Sequence, residues 1–406
     1  MDPNASLHAS RQAVNQSFGT TRQALTQWFV EQAMPFCGTH GTDWANGGFH
    51  ERFTAQGTPI DEPRRTRVVA RQIYVATQAQ ALGWRGPADR LVAHGLSFLL
   101  GPLLQSDHTF ASSVRVDGTV VNAQFDLYEQ AFALFALAQA HRSQGAHDAP
   151  SQAMLHDTAQ QTRLALMARF KHPGLGFEEC EPPSSPLKAN PHMHLLEATL
   201  AWEAQAVPDA AAWRALSDEI AQLALQKLID PATGALSECF DLQWQRLEGV
   251  QGDVVEPGHQ FEWAWLLMRW GQSRQQPAAI QAAHRLIHIG EQHGICATRG
   301  VAINQINHAF ETIDVQAKLW PQTERIKAWC ALAQQAHADQ DAPAMARALH
   351  GATQAMLALM PYLSHPCAGL WQEVMLPDGR FTAEPCRASS LYHIVCAIET
   401  LHEIPV

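Results

Sequence analysis

Apolar residues recur at helical spacing along much of the chain. In residues 66–83, TRVVARQIYVATQAQALG, they fall at about i, i+3, i+4 and i+7, which predicts an amphipathic helix. The same period runs through 124–142, 190–206, 258–270 and 388–402. Each interval leaves room for a second helix, as at 209–228 and 275–293, in stretches rich in the helix formers Ala and Gln. Six short segments of Gly and β-type residues interrupt this pattern. They are GGFHERF from Gly47, FASSVRVDG from Phe110, GLGFEECE from Gly174, GALSECFD from Gly234, RGVAINQI from Arg299 and GLWQEVMLPDG from Gly369. Their starts lie about 60 to 70 residues apart, which marks a repeat.

Six units of two helices predict an all-α fold of about twelve helices. Helices joined by short loops pack antiparallel, and six such hairpins can close into an (α/α)6 barrel with the short β-hairpin segments at one rim. Residues 1–406 would then form one domain. An open helical solenoid or a two-domain helical protein would share the pattern. The count of six units, with the chain ending soon after the sixth, favours the closed barrel.

Polar and aromatic residues break the apolar pattern near the starts of several helices: Asn190 with His194, His259 with Glu262, and Tyr392 with His393. That is expected where helix ends line a concave ligand pocket. Twelve tryptophans supply flat apolar faces on which sugars stack, although at least half of them belong to the core.

Composition narrows the function. The apolar fraction of 46% allows a large core, and 17% charged residues argue against disorder. A net charge of -11 with no run of Lys and Arg excludes nucleic acid and anionic membrane as partners. No P-loop-type Gly-rich segment is present, which disfavours phosphorylated substrates. The eight cysteines form no CxxC pair, the N-terminus shows no secretory h-region, and no stretch approaches ~20 apolar residues. A cytoplasmic location with reduced thiols is expected.

His259 and Glu262 lie three apart at a helix start that Pro257 and Gly258 introduce, so they share a face. A neighbouring carboxylate raises and orients an imidazole, which suits acid/base work. The same spacing also fits a structural histidine near a helix end. Arg67 and Arg71 are i, i+4; Arg67 could stabilise an oxyanion, or pair with Asp61 or Glu62. Trp320, Gln322, Glu324 and Lys327 mix aromatic and polar groups at a helix start, where a simple Glu–Lys pairing is the alternative. HExxH is absent and no Cys–His cluster has metal spacing, so no metal or other cofactor is expected. GxSxG and GxGxxG are also absent.

Eight segments in order, WANGGF, TRVVARQIY, FDLYEQAFALFALA, NPHMHLLEA, PGHQFEWAWLL, KLWPQTERIKA, GLWQEVMLPDG and SSLYHI, resemble the N-acylglucosamine 2-epimerase superfamily from about Trp44 to His393. The superfamily includes N-acylglucosamine and cellobiose 2-epimerases and aldose–ketose isomerases. The FEW form is similar to its mannose isomerases, whereas cellobiose epimerases tend to read DIEFSW there. The resemblance implies an (α/α)6 barrel and a homodimer. Its GHxxEW histidine and glutamate fall on His259 and Glu262, its C-terminal histidine on His393, and its first-helix arginine on Arg67, with Arg71 less certain. Asn190 and His194 carry its NxxMH pattern. Trp320, Trp371, Phe110 and Tyr128 complete the expected substrate contacts.

The resemblance implies an aldose–ketose isomerase of a neutral monosaccharide such as mannose, working through a cis-enediolate. His393 would carry the carbon-bound proton, with His259 opening the ring or acting as the second acid/base group. Glu262 would shuttle protons among the oxygens, and Arg67 would stabilise the enediolate. The alternatives are a sugar 2-epimerase (N-acylglucosamine/N-acetylmannosamine or glucose/mannose type) and, behind it, a glycoside hydrolase pairing Asp126 or Glu179 with Glu262.

Overall fold

In the computed structural model, which describes residues 3–143 and 151–405, the apolar periodicity becomes twelve helices of eleven residues or more. They are α1 (Pro3–Trp28, continuing in wider turns to Gly41), α2 (Thr66–Ala79), α3 (Ala88–Phe98), α4 (Leu127–Arg142), α5 (Gln152–Arg169) and α6 (Ala189–Glu203). The second half supplies α7 (Ala210–Leu223), α8 (Pro257–Arg274), α9 (Pro277–His293), α10 (Trp320–Ala338), α11 (Ala342–Leu359) and α12 (Ser390–His402).

The even-numbered helices form an inner ring. Each packs on the next, from α2 through α4, α6, α8 and α10 to α12, and α12 returns to α2. Helices α3, α5, α7, α9 and α11 each lie outside the inner helix before them, and α1 completes the outer layer against α11 and α12. The two layers differ in pattern for a physical reason. Inner α4 is buried almost continuously from Leu127 to Ala140, because it meets neighbours on every side. Outer α9 buries one stripe, Ala279, Ala283, Leu286, Ile287 and Gly290, and gives its other face to water. This is the expected (α/α)6 architecture.

The six Gly-containing segments each join an outer helix to the next inner one. Five small antiparallel sheets lie in this region and tie neighbouring units, with Arg52–Phe53 paired to Cys386–Arg387 linking first to last. Short strands lead into five of the inner helices, Arg64–Arg65, Leu187–Lys188, Val254–Val255, Ala317–Lys318 and Cys386–Arg387, and Val120–Asn122 lies four residues before α4. All inner helices therefore start at the strand-bearing rim.

A repeated side-chain clamp fixes these crossings. The peptide of Phe110 gives its N–H to Gln130 Oε1 and takes a bond from Gln130 Nε2, both at 2.8 Å. Gln260 holds Leu236 in the same way at 2.9 and 3.0 Å. Gln322 holds Ala302 at 2.8 Å on both sides. His192 substitutes in the third unit, its Nε2 accepting from Phe177 N–H at 3.0 Å. At the ring closure, Ala388 donates to Glu51 O at 3.0 Å and accepts from Gln72 Nε2 at 2.8 Å. Each clamp satisfies buried peptide groups that would otherwise be costly to desolvate.

Candidate active site

The inner helices open at the strand rim onto a cavity of about 430 Å³. Its wall takes Arg71 from α2, Tyr128 from α4, Asn190 and His194 from α6, His259 and Glu262 from α8, Trp320 from α10, and Ser390 and His393 from α12. Between the helices, Lys188, Glu238, Glu256, Lys318, Glu373 and Arg387 reach it from the strands and loops. Six helix N-termini converge here. Their partial positive charge favours a developing anion.

Trp320 stands between two histidines, its ring 4.9 Å from His259 and 5.9 Å from His393. Gly258 permits this approach: a Cβ there would lie 2.4 Å from the indole. One histidine is held protonated and the other neutral. Burial alone would push His259 down, but Glu238 at 2.8 Å and Glu256 at 3.4 Å from Nδ1 outweigh it and hold the imidazole up at about 10. Burial pushes His393 well below the usual histidine range, and the cations Arg71 and Lys327 push the same way. His393 Nδ1 lies 2.8 Å from Glu324 Oε1, which leaves its Nε2 for the cavity.

A third buried network backs His194. Its Nδ1 lies 3.4 Å from Glu197 Oε2, which also accepts from the Tyr392 hydroxyl. Three buried acceptors on the wall have no partner among the described residues: Asn190 Oδ1, Glu238 Oε1 and Glu262 Oε2. Such atoms are costly to leave unpaired. A polyhydroxylated ligand offers the donors they lack.

The residues from about Gly47 to Ala397 match the family model for N-acylglucosamine 2-epimerase. The chain belongs to the N-acylglucosamine 2-epimerase family. Members of this family are sugar epimerases and isomerases, and this chain is such an enzyme. It is 41% identical over 385 residues to a mannose-6-phosphate isomerase of Rhizobium meliloti (strain 1021), covering 93% of this chain and 96% of the relative. It is 29% identical over 246 residues to the D-mannose isomerase of Thermobifida fusca, covering 56% of each. A crystal structure of a D-mannose isomerase shares the fold, with a TM-score of 0.79 at 18% identity over 94% of this chain and 97% of that one.

Seven of the ten sequence-predicted site residues of this epimerase-family chain meet at the cavity: His259, His393, Glu262, His194, Asn190, Trp320 and Tyr128. Three do not line it. Arg67 is bound to the buried Glu129, Nη1 to Oε1 at 2.6 Å, so the first turn of α2 is tied to α4. Arg71, one turn deeper, takes the place on the wall, with Nη2 2.8 Å from the Tyr128 hydroxyl and the guanidinium 4.1 Å over Phe132. Phe110 is 1% exposed, its ring in the core and its peptide in the Gln130 clamp. Trp371 is 2% exposed and gives its indole N–H to Glu373 Oε1 at 3.0 Å. Of the hydrolase candidates, Asp126 caps α4 and Glu179 accepts from the Lys188 backbone; neither lines the cavity.

Sequence reasoning missed Glu238 and Glu256. Glu256 directly precedes PGH, and Glu238 lies in one of the six repeated segments, so their positions carried the only available signal. Two buried donor groups, His194 with Glu197 and Glu262, and Glu262 with Glu324 and His393, are close enough to hold a metal ion. The Lys327 ammonium already shares two of those carboxylates, Glu262 at 3.5 Å and Glu324.

Proposed function

We propose that the enzyme interconverts an aldose and a ketose of the mannose/fructose type. The observation that carries this reading is the pair of histidines flanking Trp320 in one cavity, His259 held as the imidazolium by Glu238 and Glu256 and His393 held neutral. A neutral His393 can accept a proton from carbon 2 of the open-chain aldose. The bonding pair then forms the C1=C2 bond, and the carbonyl oxygen takes a proton from the His259 imidazolium, giving the cis-enediol. His393 returns the carbon-bound proton to carbon 1 while the oxygen on carbon 2 gives up its proton, through Glu262, to His259. One base working on one face of the intermediate is enough for isomerisation. Arg71 stabilises the negative charge that builds on the sugar oxygen in each transition state; Arg67, tied to Glu129, does not take this role.

A second reading of the substrate keeps this chemistry and adds a phosphate to the sugar. The name of the 41% identical relative supports it. So do Lys188, Lys318 and Arg387 on the cavity wall, which offer cations that a neutral hexose does not need.

Incubation with mannose, fructose, glucose, N-acetylglucosamine and mannose 6-phosphate in deuterated water tests both readings. Ketose formed with deuterium at carbon 1 is the expected result. A 2-epimer labelled at carbon 2, without ketose, would replace isomerisation by epimerisation. His393→Ala and His259→Ala are each expected to lose turnover by about 10²-fold or more while keeping helical circular dichroism. Full activity in either variant removes that residue from the mechanism.

A further inference from the structure

Lys327 does not line the cavity and is 0% exposed, yet it stands directly behind the histidine site. Its Nζ contacts Glu324 one turn earlier on α10, lies 3.5 Å from Glu262 Oε1 on α8, and sits 4.1 Å over the Trp265 ring. Glu197 on α6 adds to its electrostatic surroundings. One ammonium therefore pairs with carboxylates from two inner helices and lies in the field of a third, Glu197, and each of the three is buried beside the catalytic wall. Glu324 bonds His393, Glu197 bonds His194 and Tyr392, and Glu262 opens on the cavity itself.

We infer that Lys327 is a positioning residue that selects the ring tautomer of His393, acting through Glu324. An ionised Glu324 can only accept, so His393 must carry its proton on Nδ1 and present the Nε2 lone pair to the substrate. A protonated Glu324 could instead donate to Nδ1. The imidazole would then carry its proton on Nε2, and the base would face the sugar with a hydrogen where it needs a lone pair.

The environment makes this choice close. Burial raises Glu324 and Glu197 adds to the rise, while Lys327 pulls the other way and holds the carboxyl at about 7. Taking the ammonium away leaves crowded buried carboxylates without their cation, and protonation is the only inexpensive response. The assignment of His393 as base rests on the proposed isomerase reading; the tautomer assignment can be measured without turnover.

The test uses full-length protein labelled with ¹⁵N-histidine, with the His393 signals identified by their loss in His393→Gln. A long-range ¹H–¹⁵N spectrum of wild-type protein is expected to show His393 protonated at Nδ1. Protonation at Nε2 in wild type overturns the inference, whether or not any variant folds. Lys327→Met, checked by circular dichroism, is expected to move the proton to Nε2 and to lower kcat at least 100-fold with KM within threefold. Lys327→Arg is expected to restore the Nδ1 form. A Lys327→Met protein that keeps the wild-type tautomer also overturns the inference. If wild-type enzyme gives no deuterium exchange with any sugar, the isomerase reading falls while the spectrum still decides the tautomer.

Discussion

Replacing Glu238 by Gln removes a negative charge while keeping the shape of the side chain. The charge lies 2.8 Å from His259 Nδ1. At an effective dielectric of about 20, a unit charge pair at that separation is worth about 6 kcal/mol. That corresponds to roughly four pK units, as an upper limit. Glu256 remains at 3.4 Å, so part of the support persists. The sign follows from the role. His259 must be protonated to donate to the sugar oxygen, and its folded-state value is raised, so activity is present at neutral pH and falls as pH rises through about 10. In Glu238→Gln this alkaline limb is expected to move down by about two units or more, into the range near 8. The assay is kcat/KM against pH from 6 to 10.5 for both proteins, with the non-enzymatic rate subtracted. An alkaline limb that stays near 10 in the variant would refute the charge pairing as the cause of the imidazolium. A wild-type limb near 7 would refute the imidazolium itself.

Arg71→Ala is expected to lower kcat by about 10²-fold through loss of oxyanion stabilisation. Arg67→Ala instead leaves the buried Glu129 without its partner, so it should keep kcat within a few-fold and lose about 3 kcal/mol of stability by urea denaturation. Gly258→Ala drives a methyl group against Trp320, and KM is expected to rise about tenfold with the melting temperature lowered; an unchanged KM would detach the indole from substrate binding. Prolonged chelation followed by gel filtration is expected to leave the rate unchanged; a loss restored by a divalent cation would assign the buried donor groups to a metal.

Helix positions were legible because the apolar period is local. The expected helices at 275–293 and 388–402 are Pro277–His293 and Ser390–His402. The paired polar residues at inner-helix starts were legible for the same reason: a polar interruption in a buried helix needs something to face. Three features were not. Arg67 and Arg71 share a helical face, and only the position of Glu129 on the neighbouring helix decides which one is tied at the rim. Phe110 and Trp371 are apolar aromatics, and residue type does not separate a core ring from a wall ring. Glu238 reaches His259 across 21 residues of sequence, because the Gln260 clamp on Leu236 brings that loop to the first turn of α8.

The clamps also bear on how the molecule comes apart. An open solenoid can fray from its ends, since each repeat touches only its neighbours. Here each outer-to-inner crossing with a Gln or His clamp is locked by a side chain of the next unit, and the Ala388 peptide locks the last unit to the first through Glu51 and Gln72. No unit is terminal, so none can melt without breaking a lock that belongs to another. The amide protons of Phe110, Leu236 and Ala302 are therefore expected to exchange with solvent slowly and only through global unfolding, as hydrogen exchange would show. On this reasoning the closed circle unfolds as one cooperative unit, held by a few buried amides far from the chemistry.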